Sequence, residues 1–323
     1  MTSGAPVVSA IVCTYNRRRM LSRALESLCR QSTGPARYDI IVVDNNSRDD
    51  TRTYVEDVAR RYPNVRYALE MKQGLSHARN CGAEIARSEY LLYMDDDAIA
   101  PSEYFEQILS LLDMHKPDIL GGPIYPYYLA PKPRWFRDEW EIRRYAKQSG
   151  FATIGGISGS NYVIRKDVLK QLGMFDPSLG MRGDELGLGE DRKVLETYRN
   201  TVPLEKQRVY YALECPMLHL TPAVKLRPGY LARRHFAAGR LAVTVKGRGQ
   251  TFGEAMRSLG RLPRAVYVKH LNVRDKGWAG VDPVEAIRRC IFEFGLLYEA
   301  FRQMALRSAA RKWFAGKGVI PDA

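Results

Sequence analysis

Three consecutive carboxylates, Asp95-Asp96-Asp97, close a short apolar run, Tyr90-Leu91-Leu92-Tyr93-Met94. Adjacent like charges repel unless something positive neutralises them. Hard oxygen ligands suit Mg2+ or Mn2+, and Mg2+ sites commonly combine one or two carboxylates with substrate phosphates. A solvated acidic turn capping the next helix accounts for the same residues without chemistry. A second acidic pair, Glu190-Asp191, follows Gly189 at the start of a helical pattern. The helix dipole favours carboxylates there, so capping also accounts for that pair.

The elements that must position these groups follow from periodicity. Val7 to Val12, Asp39 to Val43, Val65 to Ala68 and Tyr90 to Met94 read as buried strands. Arg18 to Gln31, Thr51 to Arg61 and Ser76 to Arg87 read as the helices between them, with Leu21, Leu25 and Leu28 at helical spacing. Alternating strands and helices with short links predict a doubly wound α/β fold with a mostly parallel sheet. Asn16, Asp44 and the Asp95 to Asp97 triplet follow the first, second and fourth strands and gather at one sheet edge. Ligands bind beyond the carboxyl ends of such strands, so a nucleotide site is expected there.

Further along, Pro101 to Met114 reads as a helix and Ile119 to Pro123 as a strand. Tyr125 to Arg137, rich in proline and aromatics, reads as a loop. Trp135, Phe136 and Trp140 either pack beneath that loop or meet an acceptor. Ile154 to Arg165 has closely spaced glycines, which permit close approach of a ligand or another backbone. Lys166 to Leu172 and Arg192 to Arg199 read as helices. Beyond Pro222 the chain reads as mainly helical, best at Tyr230 to Val245 and Val284 to Phe314. The latter has Ile287, Ile291, Phe294, Leu297, Phe301 and Met304 on one face, with Arg288, Arg289, Arg302 and Arg307 elsewhere. Packing against the rest of the protein or lying on a membrane surface would each use such a helix.

Composition narrows the class. The 323 residues are 45% apolar and 27% charged, ordinary for a folded globular chain. No apolar stretch approaches the roughly 20 residues needed to span a bilayer. The N-terminal residues lack the features of a secretory signal. A cytoplasmic location is expected, with possible peripheral contact at the inner face of the membrane. Five widely spaced cysteines without a CxxC support neither a disulfide framework nor a zinc site. The net charge of +14 is concentrated in the last third, where residues 223–323 hold 20 Lys and Arg against 7 Asp and Glu. Such a segment attracts phosphates on nucleic acid, anionic lipid or a phosphorylated substrate.

Val8-Ser9-Ala10-Ile11-Val12-Cys13-Thr14-Tyr15-Asn16, Ile41-Val42-Val43-Asp44-Asn45-Asn46-Ser47, the Asp95 to Asp97 triplet and Gly189-Glu190-Asp191 occur in an ordered set. Gly74 to Asn80, Gly159-Ser160-Asn161 and Gly173-Met174-Phe175-Asp176 add to it. In order and spacing, residues 7–200 resemble the family 2 glycosyltransferases of the GT-A fold. The resemblance implies inverting transfer of a sugar from a nucleotide diphosphate donor to a hydroxyl acceptor, with Mn2+ or Mg2+ stabilising the departing diphosphate. UDP is weakly favoured as the nucleotide.

By that resemblance, Asp191 is the general base and Glu190 orients acceptor or base. Asp97 and Asp95 hold the metal, while Asp96 meets ribose or donor sugar; the pattern leaves the division among the three open. His219 completes the metal site or is a core histidine. Thr14, Tyr15, Asn16 and Asp44 line the nucleoside, though Tyr15 could equally pack and Asn16 cap a helix. Arg79 meets the diphosphate or donor sugar. Gly159, Ser160 and Asn161 border the acceptor. Cys13 departs from the family's usual small hydroxyl or proline, and inverting transfer needs no thiol nucleophile. Residues 1–222 would form the catalytic domain and 223–323 a basic helical region able to hold the enzyme at an anionic membrane surface. The acceptor would be a glycan, a lipid-linked sugar or another glycoconjugate in surface polysaccharide synthesis.

Two other classes compete. A sugar-phosphate nucleotidyltransferase would want a glycine-rich, lysine-containing phosphate loop where Thr14-Tyr15-Asn16-Arg17 stands. A nucleic-acid-binding protein would explain the sequence pI of about 9.6, but no recognised binding module occurs and no nucleic-acid partner is expected.

Overall fold

A computed structural model describes residues 5–151, 156–183, 185–245 and 283–316. Ile154 and Gly155 of the glycine-rich stretch lie outside the described residues, as do the side chains of Met304 and Arg307. The chain divides into two compact units, Met1–Ala223 and Val224–Ala323.

The first unit opens with β1 (Val8–Thr14), α1 (Arg18–Cys29), β2 (Tyr38–Asp44), α2 (Thr51–Arg61), β3 (Val65–Leu69), α3 (Leu75–Ile85) and β4 (Tyr90–Asp95). It continues with β5 (Ala98–Ile99), α4 (Tyr104–His115), β6 (Ile119–Gly121), β7 (Ile124–Tyr128), β8 (Gly150–Phe151), β9 (Tyr162–Arg165), α5 (Lys166–Gln171), α6 (Glu190–Thr201), β10 (Val209–Tyr211) and β11 (Met217–Thr221). The main sheet runs β3-β2-β1-β4-β9-β6-β10-β8. Its first four strands are parallel; β9 is antiparallel to both β4 and β6. β1, β2 and β4 are buried almost throughout, which explains why they read as continuous apolar runs.

The two sheet faces carry separate cores. Ala10, Val12, Ile40, Val42 and Leu92 meet α1, α2 and α4 through Leu21, Leu25, Val55, Phe105 and Ile108. Ile11, Ile41, Val43, Leu91 and Tyr93 point the other way, toward α3, α5 and α6, and share a core with Ala78, Leu169 and Leu195. This period-two division is the geometry of a strand buried on both faces.

A smaller sheet, β5-β11-β7, stands beside the carboxylate triplet. The expected loop at Tyr125 to Arg137 is corrected here: Ile124–Tyr128 is a strand parallel to β11. Pro126 is tolerated because β7 lies at the edge of that sheet, where a missing N–H leaves no ladder broken. The aromatics after it pack on one another, with Phe136 and Trp140 rings 5.2 Å apart and Phe136 buried. All five cysteines are free thiols.

The second unit contains α7 (Pro228–Val245) and α8 (Pro283–Gly316). The two helices meet where neither has a side chain: a Cβ on Gly239 would lie 1.9 Å from Phe292 O, and one on Gly295 would lie 2.1 Å from Phe236 O. The apolar face expected on α8 is split by this contact. Leu296 and Leu297 are buried, whereas Ile287, Phe294 and Phe301 are exposed. Glu299, also buried, pairs with Arg240 and Arg302. No helix among the described residues is long and apolar enough to cross a membrane.

Candidate active site

The parallel register brings the carboxyl ends of β1, β2 and β4 level, with Thr14 beside Asp44 and Cys13 beside Asp95. Asp44 is buried and has partners on both oxygens. Oδ1 accepts the Ser47 N–H at 2.8 Å, and Oδ2 accepts the Tyr67 hydroxyl at 3.0 Å. Asn16 has a positive φ of 53°, tolerable for asparagine in a turn. Its N–H donates to Ser47 Oγ and its Oδ1 accepts from Arg48 N. Asn16 therefore ties the first loop to the second; α1 has Arg17 at its N-cap position, with no side-chain cap. Tyr15 is half-buried at the same edge.

The acidic triplet is divided by its partners. One ligand atom each from Asp95, Asp97 and His219 lies within 4.8 Å of the others. Two carboxylate oxygens and an imidazole nitrogen suit Mn2+, and the carboxylates alone suit Mg2+, so the residues fit such an ion. His219 lies within β11, between Ala98 of β5 and Pro126 of β7. Its Nε2 is 3.1 Å from Asp97 Oδ1. The next residue anchors the strand to the triplet, Leu220 N donating to Asp97 O at 2.7 Å. Asp96 turns away from this trio: Thr14 Oγ1 donates to its Oδ2 and Arg17 Nη1 to its Oδ1, both at 2.7 Å. Burial pushes Asp96 up to about 7, against the opposing pull of Arg17. Each Asp96 oxygen thus already accepts one hydrogen bond within the protein.

Arg17 was not singled out from the sequence, although a signal existed. Three adjacent carboxylates demand positive charge, and an arginine can supply it as well as a metal ion. The Arg17 guanidinium lies 2.7 Å from both Asp96 and Asp97. Burial works against its charge, but the carboxylates outweigh this and raise its pKa.

The second acidic pair stands at the start of α6. Gly189 precedes it with φ of 99°, a left-handed conformation that favours glycine. Glu190 is buried and Asp191 half-buried. Asp191 Oδ2 accepts the Gly159 N–H at 2.6 Å. A Cβ on Gly159 would sit 2.7 Å from Arg79 Nη2 and 3.1 Å from Asp191 Oδ2, so the close approach requires glycine.

Arg79 joins the two acidic groups. Its Nη1 is 2.7 Å from Glu190 Oε1, and its Nη2 is 3.2 Å from Asp95 Oδ1 and 3.4 Å from Gly159 O. The side chain is buried. Burial alone would lower its pKa; Glu190, Asp95 and Asp191 outweigh that and raise it. Burial pushes Glu190 up to about 7, with Arg79 pulling it back and Asp191 adding to the rise. The guanidinium expected to meet diphosphate is thus already held by two carboxylates and a carbonyl.

Ser160 and Asn161 are enclosed rather than exposed to a cleft, both with no accessible surface. The Asn161 amide donates to Cys215 O at 2.9 Å, and its oxygen accepts from the Tyr104 hydroxyl at 2.5 Å. Its polar atoms fasten the end of β9 to α4 and to the chain before β11, while the Gly159 N–H reaches Asp191. Two further motifs also serve as fasteners. The Asn80 side chain bonds both backbone groups of Phe175, and Ser76 Oγ donates to Leu179 O. Cys13 is held neutral, since burial pushes its thiol up.

A family model described as glycosyl transferase family 2 matches residues 9–173, half of the chain. The chain belongs to this glycosyltransferase family. Family membership sets aside the nucleotidyltransferase reading. A glucosyl-dolichyl phosphate glucuronosyltransferase from Haloferax volcanii is 27% identical over 246 residues, covering 72% of this glycosyltransferase and 75% of the relative. The mannosyltransferase from Pyrobaculum calidifontis solved with GDP-Man and Mn2+ superposes with a TM-score of 0.61 at 17% identity, covering 92% and 88% of the two chains. S. aureus TarS 1–349, solved with UDP-GlcNAc, gives 0.54 at 18% identity and covers 92% and 91%. The mostly parallel sheet flanked by helices resembles GT-A glycosyltransferase structures.

Proposed function

We propose that this glycosyltransferase is a metal-dependent inverting enzyme that moves a sugar from a nucleotide diphosphate donor to a hydroxyl of a glycan or lipid-linked acceptor. The observation that carries the reading is the Asp95, Asp97 and His219 trio, set at the strand edge where a nucleotide would lie. Asp95, Asp97 and His219 would hold Mn2+ or Mg2+, which supplies charge stabilisation for the departing diphosphate. Thr14, Tyr15, Asn16 and Asp44 would receive the nucleoside, with Asp44 hydrogen-bonding the base.

Asp191 is the general base of this reading. Its Oδ2 accepts the proton of the acceptor hydroxyl as that oxygen attacks the anomeric carbon and the bond to the diphosphate breaks. The Gly159 N–H keeps Oδ2 oriented. Glu190 and Arg79 position the base and Asp95 relative to each other, and Arg79 adds positive charge beside the diphosphate.

Similar proteins support the donor and acceptor classes: one solved structure holds GDP-Man with Mn2+, another UDP-GlcNAc, and the Haloferax volcanii relative is named for a dolichyl phosphate acceptor. The basic region 223–323 supports an anionic acceptor or membrane surface, in surface polysaccharide synthesis at the inner face. Absence of binding to anionic liposomes at low salt would remove that element.

Calorimetric titration of UDP, GDP and dTDP, with and without Mn2+, tests the central reading. Wild type should bind one nucleotide in a metal-dependent manner, and Asp97→Ala should lose it. A folded wild type that binds none of the three overturns the reading.

A further inference from the structure

The metal reading assigns no work to Arg17, yet its guanidinium is built into the site. Asp97 divides its two oxygens: Oδ1 lies 3.1 Å from His219 Nε2, and Oδ2 lies 2.7 Å from Arg17 Nη2. The other arm of the same guanidinium, Nη1, is 2.7 Å from Asp96 Oδ1. Both carboxylates are buried, with side-chain exposures of 5%, while Arg17 retains 42%. Its backbone is fixed at the start of α1, where its carbonyl accepts from Met20 N and Leu21 N.

A carboxylate turns about its last single bond, and either oxygen can face a cation. We propose that Arg17 is a positioning residue for the metal site. It pins Oδ2 of Asp97 so that Oδ1 faces Asp95 and His219, and with Thr14 it keeps Asp96 turned away from them. The planar fork of arginine is what spans two carboxylates at once; lysine has a single ammonium and holds them without fixing their planes. The inference rests on the metal reading above.

The test uses the full chain and Mn2+ alone, without nucleotide. Free Mn2+ is followed by its electron paramagnetic resonance signal during titration of wild type, Arg17→Gln and Arg17→Lys. Losing a partner that orients a ligand costs metal affinity on the order of tenfold or more, so Arg17→Gln should bind about tenfold more weakly. Arg17→Lys should fall between it and wild type. Equal or tighter binding by Arg17→Gln overturns the proposal, because the guanidinium would then only offset charge. If Arg17→Gln does not fold, a folded Arg17→Lys with wild-type affinity overturns it equally. A wild type that takes up no Mn2+ overturns the metal reading itself, an outcome separable from equal binding by wild type and variant.

Discussion

Arg79 Nη1 and Glu190 Oε1 lie 2.7 Å apart inside the protein, with side-chain exposures of 3% and 8%. They join α3, which precedes the carboxylate triplet, to α6, which carries the candidate base. Removing one partner of a buried pair strands the other charge, at a cost of about 3–5 kcal/mol. Glu190→Ala should therefore lower unfolding stability by about that amount, and Glu190→Gln by less, because the amide oxygen can still accept from Arg79. Urea denaturation of the three proteins at one pH checks the order. Equal stabilities would mean that the pair contributes nothing.

Stability should also depend on pH through the same carboxyl. Glu190 titrates near 4.5 when unfolded and is pushed up to about 7 when folded. The folded state binds the proton more tightly, so this contribution is complete below about 4.5. It declines as pH rises and is lost above about 7. A shift of this size corresponds to roughly 3 kcal/mol at most. Asp96 acts in the same direction. With chelator present, wild type should lose more stability between pH 5 and pH 8 than Glu190→Gln does. Identical losses would contradict the assignment to Glu190.

Asp191→Asn retains an oxygen for the Gly159 N–H but removes the proton acceptor. A general base contributes on the order of 100- to 10,000-fold to rate, so kcat should fall by about that range. Metal-dependent nucleotide affinity should stay within about twofold of wild type, because the change lies on the acceptor side. Nucleotide-release kinetics and calorimetry separate the two effects. Loss of nucleotide affinity with kcat retained would argue for a donor-side role.

Asn161 offers a test away from the chemistry. Its amide satisfies Cys215 O and the Tyr104 hydroxyl in a site with no exposed surface. Asn161→Ala should cost about 2–4 kcal/mol by leaving these groups without partners. Tyr104→Phe, which deletes one donor, should cost less. Metal affinity measured on folded Asn161→Ala should remain near that of wild type; a selective loss of metal affinity would place Asn161 in the ligand site.

What could be read from the sequence follows how each element is stabilised. β1, β2 and β4 are buried on both faces, and their apolar runs marked them. The small sheet was legible only in part: β7 carries Pro126 and runs from buried Ile124 through half-buried residues and the exposed Tyr127 without alternating, and β5 has only two residues, so neither has a strand's period. At the site, residue types announced Asp95, Asp97, Asp191 and His219 as candidates through an ordered family pattern, and the fold brings the first two together with His219. The pattern did not reveal that Ser160 and Asn161 would be enclosed, because asparagine serves equally at a cleft and in a buried fastener. Nor did it reveal Arg17, whose partners lie about 80 positions further along the chain. On α8 the helical period was legible, but the buried stripe depends on where Gly295 lets α7 approach.

The hydrogen bond from Leu220 N to Asp97 O has a consequence for the order in which the protein is made. Synthesis delivers the acidic triplet long before β11, about 120 positions later, and domains commonly fold from the N-terminal side as they emerge. A nascent chain can complete the parallel half of the sheet while the cage still lacks its imidazole. If Asp95, Asp97 and His219 hold an ion together, its full capture waits for the last strand of the first unit. Uptake of such an ion would then report that the first unit has folded through its last strand.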